Sequence, residues 1–262
     1  MQLQYISDIH LEFFKTDTIK LEDIITPVAP YLAIVGDLGY PSSKIYDDFI
    51  SQCSEKFVKV FIISGNHEYY TSSIDTRPTM SETNCQIVLI CSKYPNVFFL
   101  NNSEYKLDDK TIILGSTLWS HVPDEKKYLV KQAINDYRNI YVINDRGYKV
   151  LVTTVDTNQL FNENVKWLTG KLMEHADKSI IILTHHLPTY KLIAPQFETS
   201  DINSAFASDL DHIMESYSNI KYWICGHTHT ANKLQINQCQ CLINPVGYEN
   251  ENPTYDRCAV IH

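Results

Sequence analysis

The sequence is short of positive charge. Its 262 residues carry 22 Lys and Arg against 31 Asp and Glu, a formal charge of −9. No overall positive field exists to draw in a polyanion, so long nucleic acids are disfavoured as substrates. The negative balance suits a site that gathers divalent cations, but it is also the ordinary condition of soluble proteins, and the bland reading weighs more. With 44% hydrophobic and 20% charged residues, disordered, collagen-like and coiled-coil classes are excluded.

A disulfide framework is also missing. The seven cysteines, at 53, 85, 91, 225, 239, 241 and 258, are odd in number and lack framework spacing, which argues for reduced thiols inside the cell. Cys239 and Cys241 would share one face of a strand, but no second Cys or His pair adjoins them, so a buried structural role is a better reading than zinc. No apolar run is long enough to cross a bilayer and the first six residues have no basic n-region. A cytoplasmic location with no membrane partner is the default expectation. Repeats, low-complexity tracts and Pro/Gly/Ser linkers are absent as well, which predicts one domain over residues 1–262. Oligomeric state leaves no signal.

What is present is a series of short apolar runs, each ending in polar or small residues, at 3–6, 31–35, 58–63, 111–114, 179–183 and 222–225. Their length and β-branched content predict buried strands. Between them, 42–56, 79–94 and 155–176 have helical spacing, the last placing Leu160, Val165, Leu168 and Leu172 on one face. Alternating strands and helices predict an α/β fold with a mainly parallel sheet. Three short strands at 232–236, 239–244 and 257–261 read as a terminal antiparallel meander. The least regular stretch, 123–149, holds a predicted helix over 126–139 and reads as a cap-like insertion at about 120–150.

Residues able to bind metal fall at the ends of the predicted strands: Asp8 and His10, Asp37, Asn66 and His67, His185 and His186, His227 and His229. In an open α/β sheet neighbouring carboxyl ends converge on one crevice. Asp8/His10 and His227/His229 are two apart, so extended backbone would send both members of a pair to one side. Carboxylate, imidazole and amide oxygen together suit Mn, Fe, Zn or Co, and the ligand types exclude an all-oxygen calcium or a thiolate site. Each signal alone is weak, since a lone histidine after a strand is usually a packing or surface residue. Six of the ten histidines at four strand ends make a pattern, whereas His121, His175, His212 and His262 have no such setting and read as structural or solvated.

The blocks Asp8-Ile9-His10, Gly36-Asp37, Gly65-Asn66-His67-Glu68, His185-His186-Leu187-Pro188 and Gly226-His227-Thr228-His229 resemble the five signature blocks of calcineurin-like metallophosphoesterases. The resemblance implies a four-layer αββα sandwich of two mixed sheets flanked by helices, and a hydrolase with two divalent metal ions. It puts Asp8, His10 and His229 on one ion, Asn66, His185 and His227 on the other, and Asp37 between them. It assigns His67 to the substrate, as transition-state stabiliser or proton donor, and implies attack on phosphorus by a hydroxide bridging the ions. The expected substrate is a small phosphomonoester or phosphodiester.

Two departures narrow this. Protein phosphatases of the superfamily carry G-D-x-x-D-R-G, and here the block reads Gly36-Asp37-Leu38-Gly39-Tyr40-Pro41. Tyr40 replaces the aspartate that would orient the catalytic histidine, and the phosphate-binding arginines are absent, which counts against protein phosphatase activity. Met1 to Glu12, Asn66 to Tyr70, Asn135 to Arg138 and Asn244-Pro245-x-Gly247-Tyr248 resemble instead the small bacterial-type branch. Arg138 is one residue that would restore the missing charge by contacting substrate phosphate. The alternative is an exposed pair with Asp136. His186 either touches substrate or packs behind His185. A nuclease or nucleotide phosphodiesterase is the rival enzyme reading, and a non-catalytic scaffold of the same fold is the rival from another class. The intact His67 counts against the scaffold.

Overall fold

The computed structural model describes residues 1–16, 18–70, 77–249, 251–252 and 255–262. Among them run strands β1 (Leu3–Ile6), β2 (Tyr31–Val35), β3 (Lys59–Ile63), β4 (Val97–Phe99), β5 (Ser103–Lys106), β6 (Thr111–Gly115), β7 (Tyr141–Ile143), β8 (Lys149–Leu151), β9 (Ser179–Leu183), β10 (Ile220–Cys225), β11 (Asn232–Ile236), β12 (Cys239–Ile243) and β13 (Val260–Ile261). The helices are α1 (Leu21–Ile24), α2 (Lys44–Lys56), α3 (Met80–Cys91), α4 (Lys127–Ala133), α5 (Asp136–Asn139), α6 (Thr154–Glu174) and α7 (Asp211–Ser216). No described helix is long and apolar enough to cross a membrane.

Two mixed sheets, not one, carry all of these strands except β7 and β8, which pair with each other. The first has the order β13-β1-β2-β3-β4 and the second β11-β12-β10-β9-β6-β5. The central strands of both are buried on two faces, which hides the polar alternation that a half-exposed strand would show. On β2, Ala33 and Val35 join Phe61 of β3 and Ile113, Ile181, Leu183 and Ile224 of the other sheet in an inter-sheet core. The alternate residues Leu32 and Ile34 pack instead against Tyr46, Phe49, Ile50 and Cys53 of α2. On β9, Ile180 and Ile182 meet Leu168 and Leu172 of α6 and Met214 of α7. Three stacked cores therefore separate four layers, helix, sheet, sheet, helix, as the family resemblance implies.

The chain termini correct one expectation. β11 and β12 form the expected hairpin through Asn237, which takes φ 51°, but the third strand leaves it. β13 pairs antiparallel with β1 in the opposite sheet. The crossing starts at Asn244-Pro245, where proline ends the ladder for want of an N–H. The Asn244 amide donates to the carbonyls of Tyr5 (3.1 Å) and Asp256 (2.8 Å), tying the connection to β1.

The helix expected over 126–139 is two helices, because Ile134 turns extended (ψ 135°) between them. Helix α3 starts with a capping box from Thr79 and Glu82, and α6 with one from Thr153 and Asp156. The segment 120–150 adds the β7–β8 hairpin and packs through Val130, Tyr137 and Ile140 onto Tyr69 and Trp119. It thereby reaches the loops that follow β3 and β6. Cys239 and Cys241 lie in the core, with Cys241 Sγ 3.3 Å from Met214 Sδ.

Phe61 is the test of the inter-sheet core, since it is fully buried between the sheets. Phe61→Ala is expected to cost about 3–5 kcal/mol in urea unfolding. A loss below about 1 kcal/mol would contradict this packing.

Candidate metal centre

The parallel strands β1, β2, β3, β9 and β10 end together, and the expected ligands leave from those ends. They do not leave in extended conformation. Asp8 (φ 52°), His10 (53°), Asp37 (53°), His227 (74°) and His229 (47°) all occupy the left-handed region. Residues two apart thus converge because the chain coils sharply after the strand, which corrects the extended-backbone argument. Asp and His tolerate this region better than most residues, at a cost of about 1 kcal/mol or more each. Two glycines make the room. A Cβ at Gly65 would lie 2.1 Å from Asp37 Oδ1 and one at Gly36 2.2 Å from His185 Nδ1.

The structure brings all seven expected ligands together in two adjoining clusters. In one, His10 Nε2 lies 2.9 Å from His229 Nε2, which lies 3.4 Å from Asp8 Oδ1. In the other, His185 Nε2 lies 3.1 Å from His227 Nδ1 and 3.2 Å from Asn66 Oδ1. Asp37 Oδ2 stands between them, 3.3 Å from His185 Nε2 and 3.8 Å from His10 Nε2. Its other oxygen is taken, accepting the His67 N–H at 2.9 Å. Ligands about 2.0–2.2 Å from a common ion stand ~3.0–3.4 Å from each other in octahedral or tetrahedral geometry. The spacings fit a metal, in whose place a shared proton would bridge the same atoms.

The electrostatics say the same. Burial penalises the charge on Asp37, but His185 and His67 hold its carboxyl well below the usual carboxylate range. Asp8 is lowered too, its burial outweighed by His229. In return, and against burial, Asp37 pushes the His185 imidazole up to about 10 and Asp8 pushes His229 up to about 9. Two buried carboxylates demand positive charge, which divalent ions would supply in place of those protons. Burial and the neighbouring histidines hold His227 far below the usual imidazole range, neutral and ready to coordinate.

Further groups aim the ligands. The Val35 carbonyl accepts from His185 Nδ1 at 3.0 Å, Glu12 Oε1 meets His10 Nδ1 at 3.0 Å, and Glu251 Oε2 meets His229 Nδ1 at 2.6 Å. Each contact leaves the opposite ring nitrogen facing the cluster. The Asn66 amide donates to Asp136 Oδ1 (2.9 Å), which turns its oxygen to His185. Glu68 accepts from the N–H groups of Asp37, Leu38 and Gly65, clamping the ends of β2 and β3. Burial and the Asp37 charge push its carboxyl up to about 8, opposing those three donors.

His67 sits beside the two clusters, its Nδ1 2.8 Å from the same Glu12 oxygen that meets His10 and its Nε2 3.5 Å from the Tyr248 hydroxyl. Burial opposes its charge, but Asp37 and Glu12 raise its affinity for a proton. The carboxylate that meets His67 in this chain is thus Glu12. Sequence reasoning missed Glu12, Asp136 and Glu251. Only Glu12 carried a signal, two residues beyond His10 in a buried turn.

Neither candidate substrate contact, Arg138 or His186, is among the residues that line the cavity beside the clusters. Arg138 is exposed, its guanidinium on the Gln132 carbonyl. Residues two apart on a helical turn diverge by about 200°, so Asp136 facing Asn66 sends Arg138 outward. His186 is buried against Trp119 and the His227 ring (centroids 5.1 and 4.2 Å), and burial lowers it to about 3. Of the two readings, packing is the one this geometry carries.

Comparison with known proteins agrees. A family model described as calcineurin-like phosphoesterase matches residues 3–231. An uncharacterised protein of Acanthamoeba polyphaga mimivirus is 33% identical over 275 residues, spanning 99% of this chain and 95% of that protein. Phosphopantetheinyl hydrolase from Mycobacterium tuberculosis shares the fold at 14% identity, with TM-score 0.73 over 99% of this chain and 95% of that one. A dimetal phosphatase from Danio rerio does so at 11% identity, with TM-score 0.56 over 93% and 87%.

Asp136 holds Asn66 without touching the proposed ions, so Asp136→Ala is expected to weaken Mn²⁺ binding about 10–100-fold. Titration calorimetry on the metal-stripped protein reads this, and unchanged affinity would remove Asp136 from that role.

Proposed function

Because the chain belongs to the calcineurin-like phosphoesterases, we propose that it hydrolyses a small phosphomonoester or phosphodiester using two divalent ions drawn from Mn, Fe, Zn or Co. The observation that carries this reading is Asp37 Oδ2 poised between two ligand clusters. In the proposal, Asp8, His10 and His229 hold one ion, Asn66, His185 and His227 the other, and Asp37 serves both. Bound there, the ions would neutralise phosphoryl charge and acidify a water.

The chain's own residues do the rest. His67 presents Nε2 to the cavity while Glu12 engages Nδ1, so a protonated ring can donate to the leaving oxygen. The raised proton affinity of His67 supports that assignment. An acid-lined site and a net charge of −9 favour small substrates over nucleic-acid polymers. The intact ligand set and His67 favour an enzyme over a scaffold.

Purified protein supplied with Mn²⁺ is expected to hydrolyse p-nitrophenyl phosphate or its bis ester, and to stop on addition of a chelator. Absence of turnover with both, together with no bound metal, would overturn the reading. His67→Ala is expected to lower kcat at least about 100-fold at equal metal content. Glu12→Gln should lower it about tenfold or more with KM nearly constant. A Glu12→Gln enzyme with wild-type kcat would deny Glu12 its part in positioning His67.

A further inference from the structure

We propose that the cavity beside the metal centre selects phosphoesters bearing a single phosphoryl group on an uncharged, largely apolar organic part. The inference rests on the phosphoesterase reading and concerns what the site admits. The cavity, about 370 Å³, opens directly from His67, His227 and His229. One wall is Ile134, from the segment that follows α4, and the other is Ile193, Phe197, Ile202 and Phe206, from the stretch joining β9 to α7. The Phe206 ring lies 4.9 Å from the His227 ring, so the apolar wall begins at the metal residues. Phe197 stands at the mouth, 55% exposed.

Beyond the ligands and His67, the charged residues of this cavity are acids, Asp136 and Glu251. Among the described residues no Lys or Arg lines it, and the residues outside that description include neither type. A substrate's reacting phosphoryl group would be neutralised by the ions. A second phosphate further along the same molecule would lie against walls that hold no guanidinium or ammonium to balance it, while Asp136 and Glu251, at the metal end of the cavity, add only negative charge. An alkyl or neutral amide chain would instead bury its surface against the isoleucines and phenylalanines. The site thus rewards apolar length and opposes added charge, and both effects enter kcat/KM.

A matched pair isolates the effect: n-hexyl phosphate and hexane-1,6-diol bisphosphate break the same bond and release the same kind of alcohol. With the Mn²⁺-loaded full chain, phosphate release is expected to give n-hexyl phosphate at least a tenfold higher kcat/KM per phosphoryl group. The advantage should lie mainly in KM. Methyl phosphate should fall at least tenfold below n-hexyl phosphate. In Phe197→Lys, with folding checked by circular dichroism, the gap between hexyl phosphate and the bisphosphate should narrow at least fivefold. Equal constants for the pair in the wild type, or a gap unchanged in folded Phe197→Lys, would overturn the proposal. p-Nitrophenyl phosphate serves as the control: its turnover alongside either of those results sinks the selectivity alone. Absence of turnover and of bound metal sinks the phosphoesterase reading, and the proposal with it.

Discussion

Two buried carboxylates, Asp8 and Asp37, set the terms for the rest of this structure. Each is withdrawn from water and held in its ionised form by neighbouring imidazoles. A buried charge without compensation would cost several kcal/mol. Asp37 shares one oxygen between both clusters and anchors the other on the His67 N–H. Asp8 accepts the His227 N–H (2.9 Å), so the last strand end of the site is fastened to the first. The demand for positive charge follows from these two residues, and their carboxylates fasten the backbone of His67 and His227.

The loops meet that demand at a conformational cost. Five ligand residues sit at positive φ, a conformation that persists only when the surroundings over-determine it. Glu68 does part of this by tying three backbone N–H groups together. Gly36 and Gly65 do another part by letting His185 and Asp37 come within distances that any side chain would block. Parallel sheet cores beneath, with β2, β3, β9 and β10 buried on both faces, supply the rigidity. The strain thus lies above strands that are buried on both faces.

Around the metal residues the chemistry changes. The segment 120–150 contributes Asp136 to the orientation of Asn66 and Ile134 to the cavity, and so links the ligand geometry to the substrate's surroundings. Arg138 points away. Among the described residues the cavity walls are apolar, neutral polar or acidic, with no Lys or Arg. The candidate metal ligands thus stand at strand ends, while the cavity walls come from the loops between them.

The sequence by itself determined which residues could bind metal and where along the chain they stand. Apolar runs of four to six residues announce buried strands wherever they fall, and polar ligand residues directly after them are conspicuous. The αββα class and the assignment of ligands to two clusters came from the resemblance, because strands buried on both faces look the same in one sheet as in two. Tertiary structure alone decided the rest. It took the last strand out of the expected meander, since Asn244 and Pro245 bind the chain to β1. It broke the helix at Ile134 and turned Arg138 outward. It brought Glu12 to His67, Asp136 to Asn66 and Glu251 to His229, partners 55, 70 and 22 residues apart. Such pairs leave no local trace, because a carboxylate that orients a distant ring has the same sequence surroundings as one that faces water.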